Sequence, residues 1–546
     1  MTSGDPGRDA ADVYIGLDLG TSGLKGVAVG SSGLVVARAS AGYPTHRPAA
    51  GAYEQDPGDW LRAVSVVLAR LGSVVPVGRW RSIGLSGMLP TLVTLGAGGR
   101  ALGAAITWQD SRADSVGDLF RSRCGGSELY RLTGQWVDGR YLVPMFGRIA
   151  RVDPARAAAT ATIASAKDYL FAWLTGELAT DPSTAAGYGC YELEAGRWES
   201  AVLGEAAAVG VTLGVTSASG AASASSMAGL PEVRPSVSWR PMRAGVAERL
   251  GCGRIPVVLG AADSVLGALG LGVREPGQVA YIAGTSTVIL GISDRLVFDP
   301  EHRFLVTPLA EEGRWGVEMD LLATGSAISW LAGLLGLTEA EVVELAALTD
   351  PFRSPVLLPY LSPGEQGALW DPSLRGAIVG LDLGHGREHL ARALVNGIVL
   401  ESRRCLAVLD STIGSGYAVA VGGASAAGGS FRGDLADATR RVVSMPGDDD
   451  HSVYSALGAA LIAALAVEGE WPQGAFPAAG AASGGIAEPD EARALRWDEL
   501  WAAHEAVRLR VHPLAGGRLS VHTRVPRVVA RRCGAVRPGS AAHETR

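Results

Sequence analysis

Val13–Gly30 reads VYIGLDLGTSGLKGVAVG: an apolar run ends in Asp-x-Gly-Thr-Ser-Gly and a second apolar run begins at once. Two strand-like runs about a Gly-rich turn predict a β-hairpin with a tight polar tip. Gly20 and Gly23 permit close approach of the backbone, so N–H groups and the Thr21 and Ser22 hydroxyls can converge on one anion. Asp18 projects beside that anion site, where a carboxylate repels phosphate unless Mg²⁺ lies between them. A metal-bound nucleotide is the natural occupant, although an ordinary Gly-Thr turn would read the same way in isolation.

The device recurs at Val279–Ser293, VAYIAGTSTVILGIS, which puts Gly284, Thr285 and Ser286 between two further runs. Two copies about half a chain apart predict an internally duplicated α/β protein that holds one nucleotide in the cleft between its halves.

A chain of 546 residues, 47% hydrophobic and 19% charged, has material for two large domains with ample core. A net charge of −7 gives no overall basic footprint for nucleic acid or an anionic membrane, so a small-molecule partner is expected. Cys124, Cys190, Cys252, Cys405 and Cys533 are scattered and never spaced Cys-x-x-Cys, which points away from a disulfide framework or zinc site and toward reduced thiols in a cytoplasm. The start, MTSGDPGRDAADV, has acids and no apolar core, and Ala456–Val467 is too short to span a bilayer, so neither export nor membrane insertion is expected.

After the first hairpin, Asp56-Pro57 marks a helix start, Asp56 as cap and Pro57 in the first turn. RSIGLSGMLPTLVTL (Arg81–Leu95) reads as a strand entering a turn, and AAITWQDSR (Ala104–Arg112) as a strand ending at Trp108. Strand ends of an open α/β sheet are where ligands bind, so Trp108 could lie flat on a sugar while Asp110 and Arg112 hold hydroxyls or each other. Ser165–Ala179 is a helix closed by Gly176, Thr180–Ala186 a polar loop whose Ser183 could line the cleft, and Gly214–Leu230 a surface loop at the approach to the hinge. IPVVLGAADSVLGALGLG (Ile255–Gly272) is a buried strand, a small-residue turn and a helix. Its Asp263 is either a helix cap or the base of a phosphoryl transfer, and the small neighbours Ala261, Ala262 and Gly267, with a phosphate hairpin only about a dozen residues on, favour the base. Leu321–Leu335 is a helix whose Gly325-Ser326 could face the nucleotide, and a long helix carrying Glu401 follows Arg375. Within Tyr417–Met445 a strand feeds a Gly-rich turn that suits a flat adenine, although a plain strand–helix connection reads alike. After Leu509 the chain turns basic.

Together these residues resemble the FGGY family of carbohydrate kinases, in its xylulokinase-like branch, over residues 13 to 508. By resemblance DLGTSGLK (Asp18–Lys25) and GTSTV (Gly284–Val288) are the phosphate motifs, which gives Gly20, Thr21, Ser22, Lys25, Gly284, Thr285, Ser286 and Gly325 to ATP and Asp18 to Mg²⁺. WQDSRAD (Trp108–Asp114) is similar to the substrate-side motif, with Trp108 and Asp110 toward the sugar, and GAADS (Gly260–Ser264) carries the base Asp263. KDYLFAWLTGELATD (Lys167–Asp181) resembles a framework signature, and VGGAS (Val421–Ser425) the adenosine motif, implying Gly422, Gly423, Ala424 and Ser425 there.

The resemblance implies an actin-like fold of two ribonuclease-H-like domains, here 13–254 and 255–508; outside it stand a flexible 1–12 and the basic tail 509–546, which has no counterpart in the family. It also implies closure of the cleft on sugar binding and phosphorylation of a hydroxyl on a ketose or polyol; a homodimer is a separate expectation, which the residues leave open. The chain departs at Met88, Leu89 and Pro90, where xylulokinases carry a Gln-Met-His whose Met-His pair contacts the sugar. Loss of polar groups from an acceptor pocket changes discrimination among hydroxylated substrates, so the expected pentulose, D-xylulose, stands beside another polyol, ketose, gluconate or modified sugar. A sensor that keeps both hairpins without catalysis is the alternative of another class.

Overall fold

In the computed structural model, which describes residues 12–215, 228–362, 367–371, 373–414, 418–423, 428–445, 453–476 and 485–516, Val13–Leu19 pairs antiparallel with Gly23–Gly30 and sets Asp18 opposite Lys25. The second strand pairs antiparallel with Val35–Gly42, while the first runs parallel to Trp80–Gly87, and that strand parallel to Pro256–Ala262. Trp239–Pro241 closes this six-stranded sheet.

The later sheet repeats the plan. Val279–Ala283 pairs antiparallel with Thr287–Ser293, which pairs antiparallel with Trp315–Leu321, while Val419–Gly422 and then Val443–Ser444 add on in parallel. Three antiparallel strands followed by two parallel ones, in one order in both sheets, are the duplicated α/β architecture expected of an actin-like fold.

The first sheet is covered on one side by the helix Pro57–Val74, which buries Trp60, Val64, Val67, Leu68 and Leu71. Burying each large apolar side chain is worth roughly 1.5–3 kcal/mol. Asp56 accepts from the Gly58 N–H at 2.8 Å and Pro57 takes the first turn, as read from the sequence. The other side is covered by Tyr454–Glu468, a helix from the far end of the chain. It comes so close that a Cβ on Gly84 would stand 2.0 Å from the Ala459 carbonyl oxygen, so the alanine-rich sequence here serves packing. The helix Asp263–Gly270 lies beside it and touches both sheets, with Leu266 in one apolar cluster and Ala268 in the next.

Four readings change. The first sheet runs on through Pro256–Ala262, so a division at 254/255 would cut it. Thr180–Ala186 is not a loop: Ala179–Thr180 is a short strand and Pro182–Ala186 a helical turn, because Asp181 caps it by accepting from the Ser183 N–H and Pro182 fits its first position. Leu213–Val215 and Ala228–Leu230, read as ends of a surface loop, pair as parallel strands of a further sheet in the first half; residues 216–227 lie outside the described residues. The helix Glu491–Gly516 continues past the start of the expected tail at 509, and the tail beyond it, with Cys533, lies outside the described residues. Among the described residues no helix is long and apolar enough to cross a membrane, and Cys124, Cys190, Cys252 and Cys405 form no disulfide.

Candidate active site

Both hairpin tips open into one cleft of about 530 Å³ between the halves. Gly20, Thr21, Ser22 and Lys25 line it from one side, and Gly284, Thr285, Ser286 and Gly325 from the other. The first tip is tied down by side chains from elsewhere in its half. Gln55 Nε2 donates to the Thr21 carbonyl at 2.7 Å, the Trp108 indole N–H donates to Thr21 Oγ1 at 3.0 Å, and the Tyr43 hydroxyl donates to the Gly20 carbonyl. At its base Asp18, 7% exposed, accepts from Ser86 Oγ at 2.8 Å. Burial raises the pKa of Asp18, against the opposing pull of Ser86 and Lys25.

The second tip is held mostly by backbone. Gly284 N–H donates to the Ser286 carbonyl at 2.8 Å and Ser326 N–H, at the start of the next helix, to that of Thr285 at 2.9 Å. Below it Thr287 Oγ1 donates to Thr324 Oγ1 at 2.9 Å.

Asp263 enters the cleft as the first residue of its helix, where Ala262 is the cap residue and makes no side-chain cap bond. One of its carboxylate oxygens accepts from the Ser264 N–H at 2.9 Å. Burial pushes its pKa well above the usual carboxylate range, and the charges of Asp18 and Glu318 push it further. A half-buried carboxylate of raised basicity that lines the same cleft as both anion-binding tips can accept a proton from a substrate hydroxyl.

The acceptor side differs from the sequence reading in two residues. Leu89, Pro90 and Trp108 line the cleft, but Met88, 2% exposed, packs in the core beneath them. Asp110, 2% exposed, is turned to its own loop, accepting from the Tyr53 N–H at 3.0 Å and from Arg112 Nε at 2.9 Å, while Arg112 also bridges to Glu54. Of the adenosine turn, Gly422 ends its buried strand and only Gly423 reaches the cleft wall; Ala424 and Ser425 lie outside the described residues.

Several cleft residues carried no motif. Gln135, Arg140 and Tyr141 arrive from the connection between two helices, and Glu318 and Asp320 from Trp315–Leu321. Arg140 is gripped by Asp138, Nε at 3.0 Å and Nη2 at 2.7 Å from Oδ2. Glu318 accepts from Thr307 Oγ1 at 2.6 Å. Asp320 Oδ1 is buried and has no hydrogen-bond partner among the described residues; burial and the neighbouring Glu318 raise its pKa to about 7, against the pull of Arg140. Two acids at alternate positions of an otherwise apolar strand share a face, which is the signal the sequence did offer.

Residues 13–270 match the N-terminal domain, and 279–467 the C-terminal domain, of the FGGY family of carbohydrate kinases. The chain is 30% identical over 460 residues to the xylulose kinase of Escherichia coli (strain K12), covering 84% of this chain and 91% of that protein. It is 26% identical over 400 residues to the gluconokinase of Bacillus subtilis (strain 168), covering 70% and 74% respectively. The crystal structure of xylulose kinase from Rhodospirillum rubrum, 28% identical, superposes with a TM-score of 0.78 over 92% of this chain and 99% of that one. With both domain matches falling on the two repeated sheets and a relative sharing nearly the whole span, this chain belongs to the FGGY family of carbohydrate kinases.

Proposed function

We propose that this carbohydrate kinase transfers the γ-phosphoryl group of ATP to a hydroxyl of a neutral pentulose such as D-xylulose, with Asp263 as the general base. The observation that carries the reading is the carboxylate of Asp263, half-buried and of raised basicity, in the cleft faced by both tips. Asp263 takes the hydroxyl proton as the acceptor oxygen attacks phosphorus and the bond to the β-phosphate oxygen breaks. Thr21, Ser22, Thr285 and Ser286 offer hydroxyl and backbone donors to the phosphate oxygens as charge moves among them.

Mg²⁺ belongs to the same proposal. Among the described residues no three ligand-type side chains converge as a closed cage, which suits an ion held by one or two carboxylates and completed by phosphate oxygens and water. Asp18, buried beside the first tip and near enough to Asp263 to raise its pKa, is the residue that would hold it. When bound, the ion would neutralise the phosphate charge.

A neutral acceptor is favoured over an aldonate by the charges of the pocket. Asp263, Glu318 and Asp320 all face the cleft, while Arg140 is already gripped by Asp138, so an acceptor carboxylate would add a further acid to a group in which burial already raises the pKa of each. Trp108 and the apolar Leu89-Pro90 wall supply flat contact with the C–H faces of a sugar. The xylulose kinase relatives support the pentulose, and reduced cysteines support a cytoplasmic setting.

ADP release, measured with ATP and Mg²⁺ across D-xylulose, other ketoses, polyols and gluconate, tests the reading. Strong stimulation by D-xylulose is expected, and stimulation by gluconate alone would replace the acceptor. Asp263→Asn should cut kcat by about 10²–10⁴-fold with sugar binding kept; an active variant would remove Asp263 from the role.

A further inference from the structure

The strand that delivers Asp263 is not regular at its end. Its pairing with Trp80–Gly87 slips between Val258 and Ala261, so Leu259 and Gly260 together oppose the single residue Leu85. This is a β-bulge, a device that re-aims the residues beyond it. Gly260 sits at φ +68, and a Cβ there would stand 1.7 Å from the Leu85 carbonyl oxygen, so only glycine makes the turn. A bulge leaves backbone groups without ladder partners, and buried groups of that kind must be satisfied from elsewhere.

The Leu259 and Gly260 N–H groups donate to the backbone carbonyls of Ser238 and Ser236 at 2.8 and 2.9 Å, whereas the Leu259 carbonyl and the Ala262 N–H find side chains from a different segment. Lys167 Nζ donates to the Leu259 carbonyl at 3.1 Å and to Asp168 Oδ1 at 3.0 Å, and it stands 3.0 Å from Asp181 Oδ1, a contact that is ionic without being aligned as a hydrogen bond. On the far side of the bulge the Ala262 N–H donates to Ser183 Oγ at 2.9 Å. The Ser183 hydroxyl in turn donates to Asp181 Oδ2, which fixes its rotation and leaves a lone pair aimed at Ala262. Lys167 is 1% exposed and Asp181 and Ser183 are 0% exposed, so water does not compete for these contacts. Ala262 is the residue immediately before Asp263.

We infer that Lys167, Asp181 and Ser183 are positioning residues for phosphoryl transfer, bracing the bulged strand end so that Asp263 meets the acceptor hydroxyl in one orientation. The inference rests on the reading of Asp263 as the base. The brace couples the segment Lys167–Ser183 of the first half to the chemistry without that segment supplying the base itself. A base displaced by about an ångström can cost up to about 100-fold in rate while leaving ground-state binding alone.

The test compares Ser183→Ala, Asp181→Asn and their double variant with the full-length enzyme, using D-xylulose or whichever acceptor the panel selects. Each folded single variant should lose about 10- to 100-fold in kcat, with KM for ATP and acceptor within about twofold and a displaced acid limb in the pH profile of kcat. The double variant should lose little more than the worse single, because both act through one contact. Ser183→Thr, which keeps the hydroxyl, should recover most of the rate; if Asp181→Asn does not fold, the Ser183 pair decides. A folded Ser183→Ala with normal kcat, or one whose only change is a higher acceptor KM, would overturn the brace. An active Asp263→Asn would overturn the base and the brace together, whereas an inactive Asp263→Asn beside a fully active Ser183→Ala would overturn the brace alone.

Discussion

The two hairpin tips share Gly-Thr-Ser and the same place in a repeated sheet, yet they are built differently. Around Thr21 the backbone is tied by Gln55, Trp108 and Tyr43, and a buried carboxylate stands two residues before the glycine. Around Thr285 the ties are mainly backbone, and the position two residues before the glycine is Ile282. Duplication thus supplied two anion cradles, while only the first carries a carboxylate on the incoming strand of the hairpin itself; the acids of the second half, Glu318 and Asp320, come from the neighbouring strand.

Of the differences between the tips, the largest effect should come from removing the carboxylate of the first. Asp18→Asn is expected to lower kcat by about 10²–10³-fold with ATP and Mg²⁺, and adding Ile282→Asp should not restore it. A loss of less than about tenfold, measured by ADP release, would mean that the tips are functionally alike. A smaller contrast lies in the ties. Gln55→Leu should raise KM for ATP by about 2–10-fold, the value of one lost hydrogen bond, and should also destabilise the first half because Gln55 Oε1 accepts from the Trp60 indole N–H at 2.9 Å. Thr324→Val, which frees Thr287 below the second tip, should change the same KM by less than about twofold.

The smallest expected effect concerns the acids of the second half. Asp320 titrates at about 7 in the folded chain, above the ordinary carboxylate value of about 4 in the unfolded one. The folded state therefore binds this proton more tightly, and the stability so gained is complete below about pH 4 and lost as pH rises through about 7. Asp320→Asn should melt about 1–3 °C above the parent at pH 8, a difference that closes toward pH 4 in ligand-free thermal unfolding. An unchanged difference across that range would show that Asp320 is not the group titrating.

What the sequence made legible was what lies within one local pattern. Both tips, the Asp56-Pro57 helix start and Asp263 at a strand–helix junction each fall within a dozen residues, and each folds as its pattern predicts. What it hid was assembled over distance. Gln55 reaches Thr21 across the first half, Arg140 faces Asp320 from the other half, and neither side of those pairs shows a spacing. Met88 and Asp110 stand away from the cleft for local reasons: Met88 packs in the core beneath Leu89 and Pro90, and Asp110 takes the second of the two partners its motif offered, the cation of Arg112 rather than a hydroxyl.

The helix Tyr454–Glu468 has a consequence for how the molecule is made. The first sheet is complete at Ala262, but one of its faces waits for a cover that lies roughly 190 residues further along the chain. At a ribosomal pace of about 5–20 residues per second, that apolar face stays bare for roughly 10–40 s after the last strand has been synthesised. The N-terminal half is therefore finished by the C-terminal one, so a nascent chain stalled between the two, or a fragment ending at 270, would present a sticky sheet to chaperones rather than a folded domain.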